Sequence, residues 1–335
     1  MSISVILVGV GGRGRWAVEV FHADPRWTIV ALVEPNADFL ESALQYTGLP
    51  KSAGFSSLSD AVKSVDADAV IACTPTRTHG PLGREAFAAG MHYLVEKGMT
   101  FDWEEAKALV REAEIAGVKF CVAQNYRYHA SETAVSACLA DSSSPYHPGP
   151  IEIVDLIHHR YRPEPRTLNY PYAMVWDMSC HHVDLLSAWL GPAEEVTAVA
   201  TNPTWSSYEY DANIAAIIRY ESGAVCHYVL THAATVSDYR LVLQGPKGTL
   251  RAFDRPRVQF FPTPTAMLGS SEGIDVPMPS LPRGEQGVVD DFYRYIVDGI
   301  EPGISGRNNL KTLAVCEMLV RSASKRRTVR ASELD

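Results

Sequence analysis

Val5-Ile6-Leu7-Val8-Gly9-Val10-Gly11-Gly12-Arg13-Gly14 is the stretch whose reading decides the fold. Four uninterrupted apolar residues read as a strand buried on both faces. The pattern Gly-x-Gly-x-x-Gly follows, and Arg15 to His22 reads as a helix. A second apolar strand, Thr28 to Val33, runs into Glu34, twenty residues after Gly14. Each piece answers a need of a dinucleotide. Gly9 permits the tight turn, Gly11 lets the backbone approach a pyrophosphate, and Gly14 lets the helix pack against the strand. The helix N-terminus offers N–H groups and a partial positive charge to phosphate. Glu34 can accept the hydroxyls of an adenosine ribose. Strand, glycine turn, helix, strand and acid in register make a far stronger signal than the glycines alone.

Working outward, alternating strands and helices continue to about residue 124. Val70 to Cys73 is a strand ending in the turn Thr74-Pro75-Thr76, Pro81 to Ala89 a helix stopped by Gly90, and Tyr93 to Val95 a strand. Asp102, with Glu105 three residues on, reads as a capping box opening a long helix that ends at Gly117. Lys119 to Ala123 is the next strand. Such βα units build a parallel sheet with helices on both faces, an α/β fold. A turn-rich passage, 142–150, leads into a second style. There a strand from Ile151 to His159 precedes a loop rich in proline and arginine and a helix from about Met174 to Leu190. Strand-like runs then follow at 196–201, 212–220, 224–232, 239–243 and 258–261, which reads as an antiparallel sheet. Residues 263–284 read as a proline- and serine-rich loop. Two closing helices, about 285–299 and 307–325, are expected to pack on the first domain. The expected division is 1–124, 125–306 and 307–335.

At 335 residues the chain suits two domains, and 46% hydrophobic with 21% charged residues is ordinary for a globular protein. A formal charge of -9 argues against nucleic acid or an anionic membrane as main partner. No apolar run approaches a membrane span, and no secretory signal is read at the N-terminus. The six scattered cysteines contain no C-x-x-C pair, which suits free thiols in a reducing cytoplasm.

A dinucleotide enzyme that oxidises an alcohol needs a group to take the hydroxyl proton. Glu96-Lys97 closes a strand at the carboxyl edge of the sheet, where open α/β folds bind ligands. Asp177, His181 and Asp184 fall at i, i+4 and i+7, on one helical face. His181 could take the proton, Asp177 could orient the imidazole, and Lys97 could hydrogen-bond the reacting oxygen. The bland alternatives are a core-and-surface histidine pair, a solvated lysine and an aspartate paired within the fold. The same spacing could offer ligands to zinc, but no third strong nitrogen or sulfur ligand is nearby. No G-x-S-x-G elbow occurs, so a serine hydrolase has little support.

These motifs together resemble the glucose-fructose oxidoreductase, inositol dehydrogenase and rhizopine-catabolism (Gfo/Idh/MocA) family over nearly the whole chain. Besides Gly9–Gly14, the matching pieces are Cys73-Thr74-Pro75 with His79, Gly90 through Lys97, Asn125-Tyr126-Arg127, and Asp177 with His181-His182-Val183-Asp184 and Trp189-Leu190-Gly191. The resemblance implies a Rossmann domain followed by an α+β domain with a large, open, mostly antiparallel sheet. It implies oxidation or reduction of sugars, cyclitols and related polyols with NAD or NADP, and dimers or tetramers formed through the sheet. It makes Lys97, Asp177 and His181 the catalytic trio, with His181 the proton acceptor and Lys97 touching both nicotinamide ribose and substrate hydroxyl. Thr74, Pro75 and His79 fall beside the nicotinamide half, and Glu96 and Asn125 in the cofactor pocket. Arg127 falls where substrate is contacted, and Arg160, Asn169 and His232 lie in segments that would line the substrate pocket. Gly98 departs from the family, which usually has proline after Glu-Lys, so the aim of the lysine is less predetermined. Glu34 would repel a 2′-phosphate, which favours NAD; Arg13 leaves room for NADP. The family also includes enzymes that cleave glycosides through a transient keto sugar with recycled NAD, and a non-catalytic dinucleotide-binding sensor is a third reading.

Overall fold

The computed structural model describes residues 2–164, 170–253, 256–264, 272–280 and 284–334. The chain divides into two compact units: Met1–Asn125 with Pro282–Leu310, and Tyr126–Leu281 with Lys311–Asp335.

The first unit is built on β1 (Ile3–Val8), α1 (Arg15–Ala23), β2 (Trp27–Val33), α2 (Ala37–Thr47), β3 (Gly54–Phe55), α3 (Leu58–Ser64), β4 (Ala69–Ala72), α4 (His79–Ala88), β5 (His92–Glu96), α5 (Trp103–Ile115) and β6 (Phe120–Ala123). Its strands pair in parallel in the order β3-β2-β1-β4-β5-β6. Val5, Ile6 and Leu7 on β1 are almost wholly buried, as an unbroken apolar run at the centre of such a sheet must be. The order reverses at β1, so the carboxyl ends of β1 and β4 flank the switch point where this architecture binds ligands. Half of the expected capping box forms. Asp102 Oδ1 accepts the Glu105 N–H at 2.8 Å, but the Asp102 N–H donates to Thr100 Oγ1 and the Glu105 carboxylate pairs with Arg84.

The second unit contains α6 (Ala130–Ala140), β7 (Ile153–Tyr161), α7 (Cys180–Leu190), β8 (Ala193–Thr201), β9 (Asn213–Tyr220), β10 (Val225–Thr231), β11 (Ala233–Gly245), β12 (Gly248–Phe253), β13 (Val258–Pro262) and β14 (Ile274–Asp275). The chain then forms α8 (Gly284–Val297), α9 (Gly306–Lys325) and β15 (Val329–Arg330). Among the described residues one sheet runs β14-β13-β12-β11-β7-β10-β9-β8-β15. Its pairs are antiparallel except β7 with β10. Strict alternation sorts its faces. On β9, Ile214, Ile218 and Tyr220 are wholly buried while Ile217 is 54% exposed. Part of the expected 263–284 loop is the short strand β14, while 265–271 and 281–283 lie outside the described residues.

The C-terminal segment corrects the expected division. Helix α8 lies in the first unit, where Phe292 stacks on Trp27 at 5.9 Å between ring centroids. From Lys311 onward the chain belongs to the second unit. There β15 pairs with β8, Val329 opposite Val196, and Ser322 Oγ accepts the Ala198 N–H at 2.8 Å. This covers an otherwise open row of backbone donors and acceptors on β8.

Candidate active site

In the first unit two positions of the glycine turn, Gly9 and Gly14, leave no room for a Cβ. Gly9 takes φ +78°, and a Cβ there would lie 2.6 Å from the Cys73 carbonyl oxygen. A Cβ on Gly14 would fall 1.7 Å from the Gly9 carbonyl oxygen. A tight turn at Gly12–Gly14 then delivers the chain into α1. Glu34 leaves the end of β2 with its carboxylate fixed at the lip of this turn: Oε2 accepts the Gly11 N–H at 3.3 Å and Oε1 the Asn36 N–H at 3.1 Å. A cleft of about 370 Å³ opens alongside, walled by Val10, Gly11, Gly12, Arg15, Phe39 and Tyr46.

The neighbouring strand ends are braced from below. His79 is 1% exposed, with Nε2 2.8 Å from the Thr74 carbonyl and Nδ1 2.7 Å from that of Gly98. Burial holds its pKa below the ordinary value, against the pull of those two carbonyls. Both ring nitrogens are thus occupied within the protein. His79, expected beside the cofactor, ties the Thr74-Pro75 turn to the segment after Lys97. The Lys97–Gly98 peptide is cis.

Glu96 is 4% exposed and accepts from Trp16 Nε1 at 2.8 Å, Arg13 Nε at 2.9 Å and the Lys97 N–H at 3.1 Å. Arg13 also donates through Nη2 to Glu285 Oε1 at 3.1 Å, and Asn125 Nδ2 donates to the same oxygen at 3.1 Å. Burial works against the Arg13 charge, but Glu96 and Glu285 outweigh it and raise the guanidinium's pKa. Arg13 is therefore held between two carboxylates. Trp16 and Glu285 were not among the sequence-derived site residues. Trp16 carries a faint signal, three residues beyond Arg13 at the start of α1; Glu285 is 272 residues from Arg13 and carries none.

In the second unit Asp177 lies in a π-helical turn, Val175–Ser179, that runs directly into α7. The expected regular α spacing from Asp177 to His181 is thus interrupted by a wider turn, a local form often found at functional sites. Arg162 Nη1 lies 3.4 Å from Asp177 Oδ2. His181 stacks on Tyr126, ring centroids 4.1 Å apart and planes 6° from parallel. Its neighbour His182 is wholly buried; Nδ1 faces Tyr228 Oη at 2.9 Å and Nε2 faces His158 Nδ1 at 3.1 Å. The Tyr228 hydroxyl donates on to Ser179 Oγ at 2.7 Å. The two adjacent histidines therefore have different surroundings: a ring stacked beside Asp177's turn, and a core hydrogen-bonded link.

Asp184 is wholly buried and takes Arg127 Nε at 2.6 Å and Nη2 at 2.9 Å, with Thr312 Oγ1 donating at 2.8 Å. Arg127, expected at the substrate, thus has two of its nitrogens committed to Asp184. Asp184→Asn should strand the Arg127 charge and lower stability by about 3–5 kcal/mol, the usual effect of breaking one side of a buried pair. Denaturant unfolding checks this; a shift below about 1 kcal/mol would make the pair no more than a surface-type contact. Arg160 is half-buried on β7, and its Nη1 is buried with no hydrogen-bond partner among the described residues. His232 is wholly buried, its ring 5.8 Å from that of Tyr208. Asn169 lies outside the described residues.

Among the described residues no group of three or more His, Cys, Asp or Glu could hold a metal ion. None of their helices is long and apolar enough to cross a membrane. The six cysteines form no disulfide among those residues.

A parallel sheet with a glycine turn at its switch point and an acid at the end of β2 defines a dinucleotide-binding oxidoreductase fold. The family description "Oxidoreductase family, NAD-binding Rossmann fold" matches residues 3–124, and "GFO/IDH/MocA C-terminal domain" matches 148–251. The chain belongs to the Gfo/Idh/MocA family of NAD-binding oxidoreductases. It is 25% identical to D-apiose dehydrogenase of Paraburkholderia graminis, over 98% of this chain and 90% of that protein. It is 23% identical to inositol 2-dehydrogenase of Rhizobium meliloti, over 98% of this chain and 99% of that one. In fold it is similar to an oxidoreductase from Agrobacterium radiobacter solved with NAD+, L-tartaric acid and magnesium, with a TM-score of 0.85, 19% identity and full coverage of both chains.

Proposed function

We propose that the enzyme transfers a hydride between NAD and a hydroxyl-bearing carbon of a sugar, sugar acid, cyclitol or glycoside. The observation that carries this reading is the glycine turn, crowded against backbone at Gly9 and Gly14, with Glu34 fixed at its lip. That turn is a cradle a Cβ would fill, and Asn125 Oδ1 is buried with no partner among the described residues, so the donor set fits a dinucleotide. The glycine N–H groups and the α1 N-terminus would hold the pyrophosphate, Glu34 the adenosine ribose, and Thr74, Pro75 and Asn125 the nicotinamide half. Bound NAD would supply the hydride acceptor.

The protein's own part is proton handling. His181, kept flat against Tyr126, takes the proton of the substrate hydroxyl at an imidazole nitrogen. Asp177, one turn earlier, stabilises the imidazolium that forms. Lys97 donates a hydrogen bond to the same substrate oxygen and favours its deprotonated form. The Arg160–Arg162 segment lines the substrate side; His232, wholly buried, supports it from within. The exposed sheet face bearing Ile153, Val199 and Ile217 suits association with a second copy.

NADH formation with a panel of aldoses, aldonates, uronates, inositols and glycosides tests the reading. Oxidation of any member supports it; absence of turnover from an enzyme that binds NAD by calorimetry overturns it. Glu34→Ala should weaken NAD about 10- to 100-fold, the range expected when a charged hydrogen-bond partner is lost. It should also narrow the preference over NADP. Unchanged affinity for both cofactors would remove Glu34 from the ribose.

A further inference from the structure

Arg160 near the end of β7 and Arg162 just past it both lie close enough to Asp177 to feel its charge. Arg162 is already paired, its Nη1 3.4 Å from Asp177 Oδ2. Arg160 is not in that pair. Its Nη1 is buried and meets no hydrogen-bond acceptor among the described residues. Its surroundings are those of the proposed proton acceptor: Asp177, Tyr208, and Tyr126, the ring on which His181 stacks. Burial, and then the charge of Arg162, push the Arg160 pKa below the ordinary value. Both guanidiniums lie within reach of the Asp177 charge, and Arg162 is the one paired with it. A buried guanidinium with an idle N–H is costly to maintain. The planar fork of arginine matches a carboxylate.

We propose that the substrate is a carboxylate-bearing polyol, an aldonate- or uronate-type sugar acid, and that Arg160 is the residue that binds its carboxylate. The proposal rests on the reading of Asp177 and His181 as the substrate-facing pair. It narrows that reading to one chemical class. Neutral sugars would leave Arg160 N–H groups buried and unmatched, the circumstance in which polar sites discriminate most strongly.

The test compares D-gluconate with D-glucose and D-galacturonate with D-galactose, in the presence of NAD, for the wild type, Arg160→Met and Arg160→Lys. Sugar phosphates of the same two sugars form a third arm. The wild type should oxidise the acids with kcat/KM about a hundredfold above the parent sugars. Arg160→Met should erase that ratio, chiefly through KM, while leaving NAD affinity unchanged. Arg160→Lys should restore part of it, since the charge returns without the fork. A preference for neutral sugars, or an acid preference that survives Arg160→Met, overturns the proposal while the dehydrogenase stands. Preference for the sugar phosphates overturns the carboxylate assignment. If none of the compounds is oxidised, calorimetry with gluconate and galacturonate decides separately. Binding that disappears in Arg160→Met supports the anion site although the dehydrogenase reading has failed; no binding, or binding indifferent to the substitution, overturns it.

Discussion

A single methyl group at Gly14 is expected to abolish measurable NAD binding. The Cβ of Gly14→Ala would sit 1.7 Å from the Gly9 carbonyl oxygen and 3.2 Å from the Cys73 Cβ. The first obstacle is backbone, so no rotamer change relieves it. Relief requires the start of α1 to move away from the end of β1. That movement is resisted by Trp16, Ala17, Val18 and Phe21, all buried on the same helix. Overpacking of this kind typically costs about 1–3 kcal/mol, and here the displaced groups are the ones that form the phosphate cradle. Gly12→Ala supplies the contrast. Its Cβ would meet nothing within 4 Å, and its burden is φ +50°, about 1–2 kcal/mol for a non-glycine residue. Calorimetric NAD titration, with thermal unfolding to separate folding from binding, should therefore show loss for Gly14→Ala and modest weakening for Gly12→Ala. Wild-type affinity in Gly14→Ala would mean that the turn is not where the pyrophosphate sits.

The contrast between these two glycines shows why much of the first unit was legible. Gly9, Gly14 and Glu34 act through neighbours close along the chain or on adjacent strands, so spacing carries the information. The apolar run of β1 likewise dictates its central, doubly buried place. In the second unit, alternation on β9 marks a sheet with unlike faces, which is why its antiparallel style could be read. What escaped the sequence depends on partners far apart in the chain. Glu285 meets Arg13 and Asn125 only once α8 has returned to the first unit. Two residues, Val329 and Arg330, suffice to bring the C-terminal segment to β8, and a strand that short has no periodicity to recognise. Strand β11 runs from Ala233 to Gly245 because a shift in register between Ala233 and Asp238 lets it bend, whereas the apolar run suggested only 239–243. The π turn at Asp177 is hidden for a different reason. Its residues are compatible with an α-helix, so nothing in their spacing marks the wider turn.

That turn makes His181 the position at which substitution should lower turnover most. His181→Ala is expected to reduce kcat by about 10²–10⁴, the usual contribution of a positioned general base. NAD affinity should fall only modestly, since the glycine turn and Glu34 are untouched. His181 is 4% exposed and stacked on Tyr126, so the alanine variant also removes packing. His181→Gln keeps most of that volume without a group that titrates near neutrality, and it should show the same loss of kcat with a wild-type melting temperature. The acid limb of the kcat–pH profile should disappear in both variants, because below the histidine's pKa the wild-type ring is already protonated and cannot accept the hydroxyl proton. His182 provides the internal control. Its two nitrogens face Tyr228 and His158 within the core, so His182→Phe should lower stability and leave the acid limb in place. Retention of full turnover and an unaltered pH profile in His181→Gln would remove His181 as the base and direct attention to Asp177 in the π turn.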